Sequence, residues 1–393
     1  MYALAAVLLS VISMRLLGPD DGGIFGFGYS TFGQQMFIIA YFGIRPFQIT
    51  DVRHEYGYAD YKTVRIRTCI LSVVFAFLYL LFFALRGTYS PYKSACIFLI
   101  ALIKVADGFG DCLESECQRE GFLWRGGREL FFRTLIMVAV FAGCLLFTGN
   151  LPAAAGAALL AQIVTLSVFS VRLGRDKAFT VSETDSNKSK KLINDTVLLF
   201  FSVFIDFFVF SSSKYAIDLL LSDSVSGVYN IIFMPTSFIY MASNFIMKPY
   251  LTKMASMLSR NDMKGFRKTE RNVALSIIAM TVICVLLVVF LGERALSIAE
   301  LLLGETYTGS LTPHVPELIL IMTGGGIYAI ADLLYYVLVI KRKQKTVFII
   351  YLITGVIAAA LSFLLVGRWE MTGAAVSYAA VMSILTFGYL TAQ

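Results

Sequence analysis

Twelve runs of mainly apolar residues, each close to the length a helix needs to cross a bilayer, constrain this chain more than any other feature. The hydrocarbon core is about 30 Å thick and takes about 20 helical residues to span. The runs lie at 2–17, 24–49, 66–86, 94–113, 131–149, 152–172, 192–213, 226–247, 272–292, 316–340, 347–366 and 371–391. Composition agrees: 58% of the 393 residues are hydrophobic and 15% charged, against roughly 45–50% and about 25% in a soluble domain. An ordinary soluble enzyme, a disordered chain and a secreted disulfide scaffold are thereby excluded. The first run has no basic leader and no small-residue cleavage site, and it carries Arg15, so it reads as a span rather than a signal peptide.

The distribution of Lys and Arg orients these spans. With the N-terminus in the cytoplasm, 25 of the 33 basic residues fall in five inner loops or the span ends that border them, 5 fall likewise on the outer side, and Arg15, Arg45 and Lys104 are the 3 counted within spans. The alternation predicts twelve spans with both termini cytoplasmic. It also accounts for the net charge of +7 without nucleic acid as a partner. The six cysteines sit in or beside apolar runs, without the paired spacing of a zinc site, and read as free thiols. The two histidines, His54 and His314, fall in loops, which argues against a histidine-rich metal site or a Ser/His/Asp triad.

The most polar stretch, around SETDSNKSKK, separates six spans from six. The expected organisation is an N-lobe at 1–172, a cytoplasmic linker at 173–191 and a C-lobe at 192–393. Six is even, so both halves enter the membrane in the same direction, and a duplication would relate them by an axis along the membrane normal. Leu17-x5-Gly23-Ile24-Phe25 is mirrored by Leu221-x5-Gly227-Val228-Tyr229, and Arg45-Pro46 by Lys248-Pro249. The expected fold class is an all-α integral membrane protein, with twelve transmembrane helices in two six-helix lobes related by a pseudo-two-fold along the membrane normal.

The segments RLLGPDDGGIFGFGYS, FGIRPFQITD, KVADGFGDCLESECQREG and KYAIDLLLSDSVSGVYNIIFMPTSF, in that order, resemble the polysaccharide-unit flippases. These belong to the multidrug/oligosaccharidyl-lipid/polysaccharide exporter (MOP) superfamily. The resemblance covers nearly the whole chain. It implies two six-helix lobes, alternating access and a lipid-linked glycan substrate, and it keeps Lys214 among the candidate substrate-binding cations.

A charge at the centre of a span costs roughly 2.5–3.5 kcal/mol on insertion scales, so each one calls for a partner or a polar path. Lys104, Asp107, Asp111, Glu114 and Gln118 step by three and four and share one helical face. On one reading Lys104 attracts an anionic substrate while Asp107 or Asp111 carries a coupling ion or proton. On the other, Lys104 and Asp107 pair across a turn, and Glu114 lies at the inner surface. Arg45, before a proline able to kink its helix, either receives a pyrophosphate or anchors at the headgroups. Arg15 either faces a polar path or bridges to Asp20 or Asp21, and Lys214 pairs locally with Asp218. Asp206 and Asp332 lack local partners and either titrate during transport or meet a basic residue of another span. Gly324-Gly325-Gly326 and Pro235 interrupt their spans as hinges or as close-packing sites. Residues 261–271 read as an amphipathic stretch at the inner surface.

These features predict a flippase of the bacterial cytoplasmic membrane, not an enzyme. It moves an undecaprenyl-pyrophosphate-linked oligosaccharide from the cytoplasmic to the outer leaflet by alternating access. The expected substrate-binding cations are Arg15, Arg45, Lys104 and Lys214, and the expected coupling carboxylates are Asp107, Asp111, Asp206 and Asp332. No cofactor is expected beyond a coupling Na+ or H+. The expected partners are the lipid-linked oligosaccharide, membrane lipids, and the glycan polymerase and glycosyltransferases of the same pathway. A cation-coupled drug exporter is the alternative. A membrane glycan polymerase or glycosyltransferase is disfavoured, because the longest outer loop spans only 292–315.

Overall fold

The computed structural model describes residues 2–51, 55–174 and 186–393. His54 and linker residues 175–185 lie outside them. All regular structure among the described residues is helical. Two compact units emerge, Met1–Phe204 and Ile205–Gln393, and the division falls inside one helix.

The N-terminal unit begins with α1 (Tyr2–Phe27), which is broken at Gly18 (φ 82°, ψ −174°), a backbone conformation that glycine adopts at no steric cost. Pro19 then starts the next helix, with its fixed φ and missing N–H suited to a first turn. A Cβ on Gly22 would come within 2.9 Å of the Met14 backbone, so glycine lets the two arms of this reversal close together. Span two therefore begins at residue 19 rather than 24. It continues through a π-helical turn (Gly28–Phe32) and α2 (Gly33–Tyr41), then breaks at Phe42 and Gly43 before α3 (Ile44–Thr50). Both break residues are left-handed, with φ of 51° and 66°. The kink thus precedes Pro46, which lies within the first turn of α3.

Four longer helices follow: α4 (Tyr58–Leu85), α5 (Pro91–Arg119), α6 (Leu123–Thr148) and α7 (Leu151–Gly174). α4 is built inside out relative to a soluble helix. Tyr61, Arg65, Thr68 and Ser72 form its buried face, while Ile70, Val74, Phe77 and Leu81 are exposed, as lipid solvent requires. α4 and α6 each start eight residues ahead of their hydropathy boundaries, and this places Arg65 inside a helix and Arg133 well into one rather than at its end.

α8 (Ser186–Leu220) carries the chain into the second unit, where α9 (Asp223–Phe233) and α10 (Pro235–Ser259) make one span interrupted at Met234–Pro235. α11 (Met263–Leu303) absorbs much of the amphipathic inner stretch into its first turns. Phe266 packs there in a core with Met254 and Val337. α12 (Val315–Ile340) is continuous through Gly324–Gly326. A Cβ on Gly324 would lie 2.7 Å from the Tyr378 ring, and one on Gly326 would collide with Thr281. These glycines do not interrupt the helix; they serve close packing. α13 (Gln344–Ala392) contains the last two spans, which reverse at Trp369 and Glu370. Gly373, like Gly22, sits just after the turn, and a Cβ there would strike the Leu365 carbonyl. The fold is an all-α membrane protein of two six-helix lobes.

Candidate functional site

α5 is the axis of the first unit and packs against α2, α3, α4, α6 and α7. It starts cleanly, with Pro91 in the first turn and the Ser90 hydroxyl accepting from the Lys93 N–H at 3.1 Å. Its polar face is buried as the three-and-four spacing predicts. Lys104, Asp107, Asp111 and Glu114 are all below a tenth exposed.

Each group on this face meets an arginine, an amide or a ring from another helix. Asp111 is held between two guanidiniums: Arg45 of α3 pairs with Oδ1, and Arg65 of α4 donates to Oδ2 at 3.1 Å. Arg65 is fully buried and also donates to the Ala40 carbonyl at 2.9 Å. Arg45 additionally donates to Gln118 at 3.1 Å, and 31% of its side chain remains exposed. One turn away, Arg133 of α6 donates to Glu114 at 2.9 Å and lies 3.6 Å from Asp107. Gln162 of α7 donates to Asp107 at 2.6 Å. Glu114 is therefore a buried partner of Arg133. The Lys104 ammonium sits 3.6 Å from the centroid of the Tyr29 ring, on the π-helical turn, with Asp107 acting on it electrostatically.

Gly110 makes room for this arrangement, because a Cβ there would overlap the Arg133 guanidinium. Gly110→Ala is expected to cost about 3 kcal/mol or more by expelling a buried, paired charge. Gly127→Ala, in open space on α6, should be neutral or slightly stabilising. Thermal unfolding in detergent checks both, and an unchanged Tm for Gly110→Ala would contradict the placement of Arg133.

A second polar layer lies at the Arg119 end of α5. Gln48 donates to Glu116 at 2.9 Å and to the Cys112 carbonyl at 3.2 Å. Arg119 pairs with Glu116 and donates to the Tyr56 carbonyl at 3.1 Å. Tyr61 donates to Asp51 at 3.1 Å. Tyr56 donates to Asp195 at 3.3 Å, and Lys191 bridges to Glu55 at 2.7 Å. Burial raises the Tyr56 phenol above its ordinary value, while Lys191 pulls it down.

The second unit holds a different constellation. The Tyr328 hydroxyl donates to Asp206, with its oxygen 3.2–3.3 Å from both carboxylate oxygens. Tyr240 stacks on Tyr328 at 5.8 Å, Tyr335 lies 6.3 Å from Tyr351, and Tyr351 lies 5.8 Å from Tyr389. Asp332, one turn beyond Tyr328 on α12, has Asn244 beside it and is acted on by Asp206 and Lys248. Asp206 and Asp332 thus share one tyrosine-lined region.

The remaining candidates lie apart from these clusters. Lys214 is buried over the Phe233 ring, 4.2 Å from its centroid. Arg15 is exposed, three residues before the Gly18 break. Asp21 accepts from Tyr92 at 2.8 Å. Sequence reading missed Arg65, Arg133, Gln162 and Tyr328 as members of these clusters.

No protein-family model matches the sequence, and no curated protein does. Solved structures do match. A multidrug resistance MATE family transporter of the MOP superfamily, in an inward-facing conformation, aligns with TM-score 0.70 and 13% identity, over 99% of this chain and 93% of that one. The lipid II flippase MurJ, in an inward closed conformation, aligns with TM-score 0.69 and 13% identity over 99% and 85%. The MATE multidrug transporter DinF-BH gives 0.65 and 13% over 99% and 91%. This chain therefore has the fold of the MOP superfamily transporters.

Proposed function

We propose that the protein is a MOP superfamily flippase of the polysaccharide branch. It carries an undecaprenyl-pyrophosphate-linked oligosaccharide from the cytoplasmic to the outer leaflet by alternating access. The observation that carries this reading is the Arg45–Asp111–Arg65 triad. Two guanidiniums share one carboxylate, so the triad is net positive, and its accessible member is Arg45. A guanidinium already oriented by Asp111 and Gln118 is prepared to take a diphosphate, because less freedom is lost when the ligand binds. Lys104 supports the same polarity deeper in the unit, and Arg15 and Lys214 are secondary candidates. Because Asp107 and Asp111 are engaged by the interior cations, coupling to Na+ or H+ falls in this reading to Asp206 and Asp332. The glycan polymerase and glycosyltransferases of the pathway would supply and consume the substrate at the bacterial cytoplasmic membrane, without catalysis by this chain.

The tyrosine-lined Asp206 and Asp332 favour a second reading, a cation-coupled multidrug exporter, since carboxylates and aromatic faces suit an organic cation. Deletion of the gene separates the two. The flippase reading expects loss of surface glycan, with lipid-linked units held where a membrane-impermeant probe cannot reach them. Unchanged glycan with altered sensitivity to cationic drugs would favour the exporter. Lipid-linked units exposed on the outer face but unpolymerised would point to a polymerase.

A further inference from the structure

A groove of about 600 Å³ runs between α6 and α7. At one end it is lined by Trp124, Arg125, Arg128 and Arg172, and further along by Phe132, Ile136, Val164 and Val168. The helices run in opposite directions, so the first residues of α6 meet the last of α7. This gathers the three arginines at one end, the end that the Lys/Arg bias assigns to the cytoplasm. From Arg128 to Ile136 the helix rises about 12 Å, so the cationic end grades into an apolar wall over a distance within one leaflet. Phe132, Ile136, Val164 and Val168 are all exposed, which opens the groove sideways to lipid chains.

The basic end is organised by aromatic contacts. Arg125 lies over Phe122 and Trp124, at 4.6 and 5.4 Å from the ring centroids, and Arg128 lies 5.8 Å from the Trp124 centroid. Two acid–base groups form the back wall: Arg133, committed to Glu114, and Glu129, which lies 3.8 Å from Arg133. Glu129 thus faces a cation of its own. Among the described residues no carboxylate comes within 4.0 Å of the Arg128 or Arg172 guanidinium. Basic pockets between spans at the cytoplasmic face suit anionic headgroups.

We propose that this groove is a binding site for an anionic glycerophospholipid of the inner leaflet. Arg128 and Arg172 hold the phosphate, Trp124 sits at the headgroup boundary, and one acyl chain lies along Phe132, Ile136, Val164 and Val168. The site is separate from the Arg45 triad and does not depend on the identity of the transported substrate.

The chain has two tryptophans, Trp124 and Trp369, so Trp369→Phe leaves Trp124 as the only indole reporter, on the groove itself. The full protein is reconstituted in phosphatidylcholine vesicles. Bromine-labelled phosphatidylglycerol or bromine-labelled phosphatidylcholine is then titrated in at matched mole fraction. Phosphatidylglycerol is expected to reach half-maximal quenching at about tenfold lower mole fraction. The preference should vanish in R128Q/R172Q and persist in part in R128K/R172K, which also shows that the scaffold tolerates change at these exposed positions. Equal quenching by the two lipids would overturn the proposal, as would a preference that survives in R128Q/R172Q. Relief of quenching by soluble glycerol phosphate would also overturn it, because the groove would then be a simple anion site.

Discussion

Asp111→Ala is expected to destabilise the protein by about 3–5 kcal/mol, the range for removing one partner of a buried ion pair. Asp111 is the only carboxylate among the described residues that the structure pairs with Arg65, whose side chain is fully buried. Without Asp111, the guanidinium keeps the Ala40 carbonyl and the face of Tyr41, neither of which cancels its charge. Relaxation cannot bring water to Arg65 without opening the contact between α2, α4 and α5. Reversible thermal or denaturant unfolding in detergent measures the loss. Because the penalty comes from an uncompensated charge rather than from a missing attraction, the double variant Arg65→Met with Asp111→Leu should recover most of it. A double variant no more stable than Asp111→Ala would show that the triad supports the fold in some other way.

Arg45→Ala should separate transport from stability in the opposite sense. Arg45 is the partly exposed arm of the triad, and Asp111 keeps its bond to Arg65 when Arg45 is removed. The change in unfolding free energy should therefore stay within about 1 kcal/mol, as for other accessible pairs. Transport should fall about tenfold to a hundredfold, equivalent to the roughly 1.5–3 kcal/mol of one hydrogen bond to a charged group. Arg45→Lys should lie between the two, since the charge survives but the planar fork that matches two phosphate oxygens does not. Protein abundance, unfolding and substrate flipping are measured on the same preparations. Normal flipping by Arg45→Ala would remove Arg45 from the substrate path.

The spans were legible because lipid solvent leaves so few alternatives. A run of twenty apolar residues has one economical structure there, and the reversals at Gly18 and at Trp369–Glu370 fell where the apolar runs broke. Helix ends were less legible. Tyr58–Arg65 and Leu123–Leu130 carry charges and look like loops by hydropathy, yet they continue α4 and α6. The polar face of α5 could be read directly, since its spacing lies within one helix. Its partners could not. Arg65 and Arg133 come from other helices, and both were hidden among the basic residues that mark the cytoplasmic side. A signal existed for Arg65: Tyr61, Arg65, Thr68 and Ser72 recur at helical spacing opposite an apolar face. Asp206 and Asp332 stood out as carboxylates in apolar runs, and Tyr328 lies one turn before Asp332. Tyr351 and Tyr389 reach the same region from α13, which only tertiary structure reveals.

In the proposed flippase, a diphosphate-linked lipid crosses by a path in which Arg45 takes the anion. The most direct test uses purified protein in vesicles that carry a polyprenyl-pyrophosphate oligosaccharide confined to one leaflet. A membrane-impermeant glycan probe then follows arrival in the other leaflet. Flipping that requires the protein and falls at least about tenfold in Arg45→Ala is the predicted result. Unaltered leaflet distribution, together with ion-driven uptake of a cationic dye by the same vesicles, would contradict the account and establish the exporter.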